Sequence, residues 1–188
     1  MPPHFAQTLH LGSLFDDLTD AGLTPTTVVL RHTTVAATRF VATRLGVAPG
    51  RPLTHLRRLR LVDGRPLAVL ENYLTHEIGA TAAASLTGGG LHQLLRQQGV
   101  HLRLATQRIH ARLATREECG LLQEREPCTV LTSSRIAYDR EGVAVEHTQH
   151  VYNPRLFTFV SDLSFDDPPG DTDRGPGRWT GDAPDGAR

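Results

Sequence analysis

Two strand faces carry the chemistry that this sequence can offer. Arg58 and Arg60 alternate with Leu59 and Leu61, so a strand puts both guanidinium groups on one face and both leucines on the other. Two like charges side by side repel unless an anion or a carboxylate lies between them. A planar guanidinium matches a phosphate or carboxylate two bonds at a time. The pair therefore reads either as a clamp for an anionic ligand or as an exposed Arg row, with Glu71 as a structural partner. Further along, Glu146, Thr148, His150 and Tyr152 share one face, and Val143, Val145 and Val151 the other. This is either the solvated side of a half-buried strand or a ligand face mixing acceptor, donor and aromatic groups beside Asn153-Pro154. Gly88-Gly89-Gly90 precedes a helix that starts at Leu91. Such a segment is either a plain flexible loop or, through bare amides at the helix start, an anion site.

The elements that must position these residues are readable from punctuation and period. Ser13 through Gly22 reads as a short helix, with the Ser side chain capping an early N–H and Gly suiting the left-handed exit. Thr26 to Val35 is a Thr- and Val-rich strand, and Thr38 to Leu45, closed by Gly46, is a second helix. Leu53 to Val62 and Leu67 to Leu74 flank Asp63-Gly64, a strong hairpin signal. The register of that hairpin stays open. A two-residue turn places Glu71 on the Arg face, whereas a three-residue loop places Leu70 and Asn72 there, because a one-residue slip flips the face. Leu91, Leu94 and Leu95 before Gly99 make a third helix, Leu102 to Leu113 a strand, and Thr115-Arg116-Glu117-Glu118 a capping box that opens a helix burying Cys119 and Leu122. Thr129 to Tyr138 and Val143 to Tyr152 form a second hairpin, and Leu156 to Val160 a last strand. Strands joined mainly by hairpins with helices between them predict an α+β fold on a mainly antiparallel sheet.

Composition narrows the class of function. The 188 residues suit one domain, and 39% hydrophobic with only 5% aromatic residues means a core of Leu, Val and Ala. No apolar run is long enough for a membrane span, and the N-terminus has no secretory pattern. A cytoplasmic chain with two free thiols, Cys119 and Cys128, is expected. All 20 basic residues are Arg, balanced by 20 acids. Residues 1–165 carry a net +3, too weak for a nucleic-acid-binding face. Residues 166–188, with six Asp, five Gly and four Pro, are expected to be a disordered tail after a lead-in (1–12) and a folded domain (13–165). His147 and His150 point to opposite faces of their strand, so they are not read as a metal site. The nucleotide-binding, hydrolase and zinc-protease motifs are all missing, and neither metal nor cofactor is expected.

The order of these motifs resembles a known family. Leu56-Arg57-Arg58-Leu59-Arg60-Leu61-Val62-Asp63-Gly64-Arg65-Pro66-Leu67-Ala68 is similar to the R-x-R…DG-x-P-x-A hairpin of UTRA domains. These are the effector-sensing domains of GntR-type transcriptional regulators of the HutC subfamily. Ser13-Leu14-Phe15 with Gly22, Ala42 to Val47, Ile109 to Leu122, and Asp139 to Tyr152 resemble further family segments, in the family order, over roughly residues 10–163.

The resemblance implies a chorismate-lyase-like α+β fold, homodimerisation, and a pocket for a small anionic metabolite of phosphosugar or carboxylate type. It matches Arg58 and Arg60 to the family's ligand-binding Arg pair, and Glu146 and Tyr152 to positions near the pocket. Two departures weigh against an amino-sugar phosphate. The acidic position four residues after the hairpin Pro is Leu70, with Glu71 beside it, and the family's S-L-Y helix start is Gly90-Leu91-His92. Effector-binding residues are thus expected at Arg58, Arg60, Gly90, His92, Glu146 and Tyr152, with Leu70, Glu71 and His150 behind them. Family regulators carry a winged helix-turn-helix ahead of this domain, and only about a dozen residues precede Ser13 here. DNA contact is therefore expected only through such a head, absent from this chain. The first reading is a ligand-sensing, dimerising regulatory module and not an enzyme. The second is a lyase on the same fold acting on a carboxylated compound, with Glu146 and His150 as its only acid-base candidates, and the third an interaction module without a ligand site.

Overall fold

The computed structural model describes residues 4–10, 12–79 and 90–163; Gly88, Gly89 and the expected tail lie outside the described residues. The elements run β1 (Phe5–Thr8), α1 (Leu14–Asp20), β2 (Pro25–Ala36), α2 (Arg39–Leu45), β3 (Pro52–Val62), β4 (Arg65–Thr75), α3 (His76–Gly79), α4 (Leu91–Gln97), β5 (Leu104–Leu113), α5 (Arg116–Leu122), β6 (Thr129–Tyr138), β7 (Ala144–Tyr152) and β8 (Phe157–Val160). Six strands form one sheet in the order β2-β3-β4-β7-β6-β5, every neighbouring pair antiparallel. The expected α+β architecture is the observed one. Among the described residues no helix is long and apolar enough to cross a membrane.

The sheet has helices on both faces. Leu14 and Leu18 of α1 pack with Ala68, Leu70 and Tyr152, while Leu91 and Leu95 of α4 pack on Leu56 and Leu74. Strand alternation puts Arg58, Arg60 and Glu146 on this front face too. On the back, Val41, Ala42 and Leu45 of α2 cover Leu53, and Leu122 of α5 covers Val69, Val130 and Val151. Each fully buried Leu contributes roughly 1.5–3 kcal/mol of transfer free energy. These are small cores, and each anchors one short helix.

Local chemistry explains most boundaries. Thr38 Oγ1 accepts the N–H of Val41 at 3.3 Å, and Gly46 leaves α2 in the left-handed conformation. Thr115 and Glu118 form the complete capping box of α5. Ser13 is the N-cap of α1, but its side chain makes no capping bond, which corrects the expectation.

The hairpin register is settled by two features together. Asp63 and Gly64 both have positive φ, 49° and 76°, the backbone of a two-residue turn. One extra residue, Leu67, then sits between Pro66, opposite Leu61, and Ala68, opposite Arg60. This bulge restores Leu70 opposite Arg58 and turns Glu71 to the back face.

The lead-in belongs to the folded unit. Phe5–Thr8 pairs in parallel with β8, and Phe157 stacks on Tyr152 at 4.2 Å between centroids, 16° from parallel. An aromatic knot of Tyr152, Phe157 and Phe159 thereby ties this small ribbon to the end of β7. We expect Thr115→Ala to lower stability by about 0.5–2 kcal/mol in urea unfolding, and Thr115→Asp to recover most of it, because the cap bond is what the threonine supplies.

Candidate functional site

A cavity of about 50 Å³ opens on the front face between α1, α4 and the strands β3, β4, β6 and β7. Its floor is alternation made visible. Arg58 and Arg60 come from β3, Leu70 and Asn72 from β4, Ser133 and Arg135 from β6, and Glu146, Thr148, His150 and Tyr152 from β7. Residues 7–10 and 12–15 form one wall, and Leu91 with His92 of α4 another.

Arg58 is 3% and Arg60 1% exposed, yet among the described residues neither has a carboxylate within ion-pairing distance. Arg58 Nη2 donates to Asn72 Oδ1 at 2.8 Å, while its Nε has no partner. Arg60 lies over the Phe15 ring at 4.8 Å, and its Nε and Nη1 are unpartnered among the described residues. Burial lowers Arg58 to about 10 against the pull of Glu146; burial and then Arg58 lower Arg60 to about 9. Both remain charged at neutral pH. Burying a charge without a partner costs several kcal/mol.

The one acid among the described residues lining the cavity is already engaged. Glu146 is fully buried; Asn72 Nδ2 donates to its Oε1 at 2.7 Å, His92 Nε2 lies 3.3 Å from Oε2, and Arg135 Nη2 3.6 Å. Burial pushes this carboxyl up, but His92 and then the Arg135 guanidinium outweigh it and hold the group ionised far below its usual range. A carboxylate so held is a fixed charge, not a proton donor. His150 Nδ1 lies 3.2 Å from Tyr152 Oη, its Nε2 is unpartnered, and burial followed by Arg135 keeps the ring neutral. Thr148 Oγ1 is likewise buried without a partner. The floor thus offers unused donors around a net positive charge, which suits a compact anion. Among the described residues no cluster of three or more His, Cys, Asp or Glu could hold a metal.

Of the expected residues, Arg58, Arg60, Leu70, His92, Glu146, His150 and Tyr152 all line the cavity. Gly90 does not; it is the N-cap of the seven-residue α4, where a Cβ would stand 2.7 Å from Ser13 Oγ. Glu71 is on the opposite face, 2.7 Å from His55 Nε2 and accepting from Tyr73 Oη at 3.1 Å. His147 is on that back face as well, stacked on Tyr73, which confirms its separation from His150. Arg135, Ser133, Gln107 and the wall of residues 7–10 and 12–15 were missed. Ser133 and Arg135, alternating on a strand otherwise fit for burial, were the available signal.

The sequence matches the UTRA domain family over residues 20–158. A protein described as a transcriptional regulator from Streptomyces coelicolor is 38% identical, covering 72% of this chain and 91% of that one, with a TM-score of 0.69. The effector domain of PhnF from Mycobacterium smegmatis superimposes with a TM-score of 0.80 at 22% identity, covering 86% of this chain and all of that one. The transcriptional regulator PhnF of Escherichia coli is 35% identical over 82 residues, and the matched segment spans 34% of its length. These relatives are regulators and their effector domains, not enzymes.

Acid sensitivity follows from the histidines. Burial lowers both His147 and His150, and the unfolded chain takes up a proton on each near pH 6.5. Folded stability that is fully present above about pH 6.5 is therefore lost as the pH falls below it, with a slope of up to roughly 1.4 kcal/mol per pH unit for each ring. Urea unfolding of the ligand-free protein from pH 7.5 to 5 should show the midpoint falling steadily; a flat profile would contradict this account of the two rings.

Proposed function

Because the chain belongs to the UTRA domain family, we propose that it is the effector-sensing and dimerising module of a GntR-type transcriptional regulator of the HutC subfamily, acting in the cytoplasm on signals carried by a small anionic metabolite. One observation supports this reading above the others: two buried guanidinium groups, Arg58 and Arg60, with free donors and, among the described residues, no carboxylate in ion-pairing distance of either. A folded protein tolerates such an arrangement when a ligand supplies the missing charge in the bound state. DNA contact would run through a winged helix-turn-helix, an element that the described residues do not contain. The lyase alternative lacks a proton donor in its candidate pair, since Glu146 is held as a carboxylate and His150 as a neutral ring. The HutC assignment draws on the ordered hairpin, capping-box and Asp139-to-Tyr152 segments. The homodimer draws on the two open edges of the sheet, β2 and β5, which expose unpaired backbone groups that favour association through a strand edge.

The test is a thermal-shift screen of phosphorylated sugars, carboxylic acids and neutral metabolites against the chain and its Arg58→Ala variant. Anionic compounds should raise the melting temperature by mass action, and neutral ones should not. Removing the Arg58 guanidinium should weaken a hit by on the order of 1.5–3 kcal/mol, about ten- to a hundredfold, while the ligand-free variant loses little stability or gains some as repulsion with Arg60 is relieved. Neutral hits, or a variant that responds as the parent does, would make the Arg pair a structural feature only. Light scattering at micromolar concentration should give twice the chain mass, and a strict monomer would remove the dimer from the proposal.

A further inference from the structure

The arginine cavity has an annex that its charge does not explain. A groove of about 370 Å³ runs from it along β5, lined by Leu9, Leu104, Ala105 and Ile109, with His10, Gln107 and Arg135 where it meets the cavity and Arg103 beside Leu104. Cavity and groove share four lining residues, Leu9, His10, Gln107 and Arg135, so one continues into the other. Leu104 is 62%, Leu9 43% and Ile109 37% exposed. Large apolar side chains gathered at the mouth of a buried polar site are out of keeping with a simple solvated edge. The described front-face helices leave this strip open: α1 packs toward β4 and the end of β7, and α4 onto β3 and β4.

On the reading of the cavity as an effector site, we propose that the effector is amphipathic: an anionic head sits among Arg58, Arg60 and Arg135, and an apolar arm lies in the groove along Leu9, Leu104, Ala105 and Ile109. Arg135 stands at the junction, lining both spaces. A basic cleft lined by Arg96, His101 and Arg140, and sharing Arg103 with the groove, is the rival direction for a larger ligand, which would then carry a second anionic group. The geometry favours the apolar direction. The basic cleft meets the cavity only at His92, and its Arg96 is already 3.4 Å from Asp16.

The arm is tested with two straight-chain series, monoalkyl phosphates and carboxylates from two to ten carbons, titrated calorimetrically into the full chain, with alcohols of equal length as neutral controls. Affinity should rise about three- to fourfold per added methylene until the groove is filled, since each buried methylene is worth about 0.8 kcal/mol. The double variant Leu104→Ser, Ile109→Ser, altered at two exposed positions, should flatten that slope, and Arg58→Ala should weaken every member alike. Affinity that depends on Arg58 but not on chain length would overturn the arm and leave the effector reading intact. Alcohols binding as well as the anions would overturn it too, as would a bisphosphate that outbinds the alkyl series through Arg96 and Arg140, which line the basic cleft and not the groove. A groove covered by a second copy would show as a flat slope together with a serine variant that turns a dimer into monomers. Binding of neither anion series would defeat the effector reading and the arm with it.

Discussion

Two guanidinium groups held side by side in the interior, with no carboxylate in ion-pairing distance among the described residues, constrain this molecule more than any other feature. Alternation on a central strand makes their burial unavoidable: residues 58 and 60 must share a face, and the front face at that point is roofed by α1 and walled by α4. The cost is met partly by geometry. Asn72 occupies one Arg58 donor, the Phe15 ring lies against Arg60, and the Glu146 charge is close enough to favour charged Arg58. What remains is a set of donors without acceptors. The four small apolar clusters on the two faces of the sheet hold these groups in place, so the fold spends packing energy to maintain an unsatisfied site.

Glu146 is the reason the site does not collapse onto its own acid. A carboxylate opposite an Arg pair would ordinarily close a salt bridge and leave nothing for a ligand. Here Asn72 stands between, donating its amide to Glu146 and accepting from Arg58. The asparagine passes the interaction along without letting the charges touch. Arg135 and His92 approach the carboxylate from the far side. The negative charge is thus spent on one half of the cavity, and the other half keeps its positive potential. Replacing Asn72 by Asp would put a second carboxylate beside Arg58 and satisfy internally what the native side chain leaves open.

How much of this was legible depended on whether the signal was local. The Asp63-Gly64 turn, the Thr115 capping box and the alternation of Arg58 with Arg60 are written within a few residues, and each was read correctly. The Glu146 row was legible as a face, but not as a buried one, because nothing within β7 says that α4 will cover it. The Leu67 bulge was not legible. Pro66 beside it, which has no N–H for the ladder, is compatible with a bulge or simply with the first residues of a strand, yet that one extra residue decides whether Leu70 or Glu71 meets the arginines. Long-range pairings were invisible for the same reason: Phe5–Thr8 finds its partner in β8, some 150 residues away, and that pairing helps to hold residues 7–10 beside the cavity. Arg135 lay on a strand that was read correctly, but its inward direction depends on pairing with Thr148.

The last constraint is set by one nitrogen. His92 Nε2 lies 3.0 Å from Arg135 Nη2 and 3.3 Å from Glu146 Oε2. A guanidinium only donates and a carboxylate only accepts, so a single ring nitrogen cannot serve both. If Nε2 accepts from Arg135, it carries no proton, and its approach to Glu146 is not a hydrogen bond; if it bears a proton, it bonds to Glu146 and the Arg135 donor is released. Arg135 and His92 therefore share one choice. An anion that engaged Arg135 would leave Nε2 free to donate to Glu146 by a switch of tautomer, so His92 and Arg135 form one coupled hydrogen-bond arrangement around the buried acid.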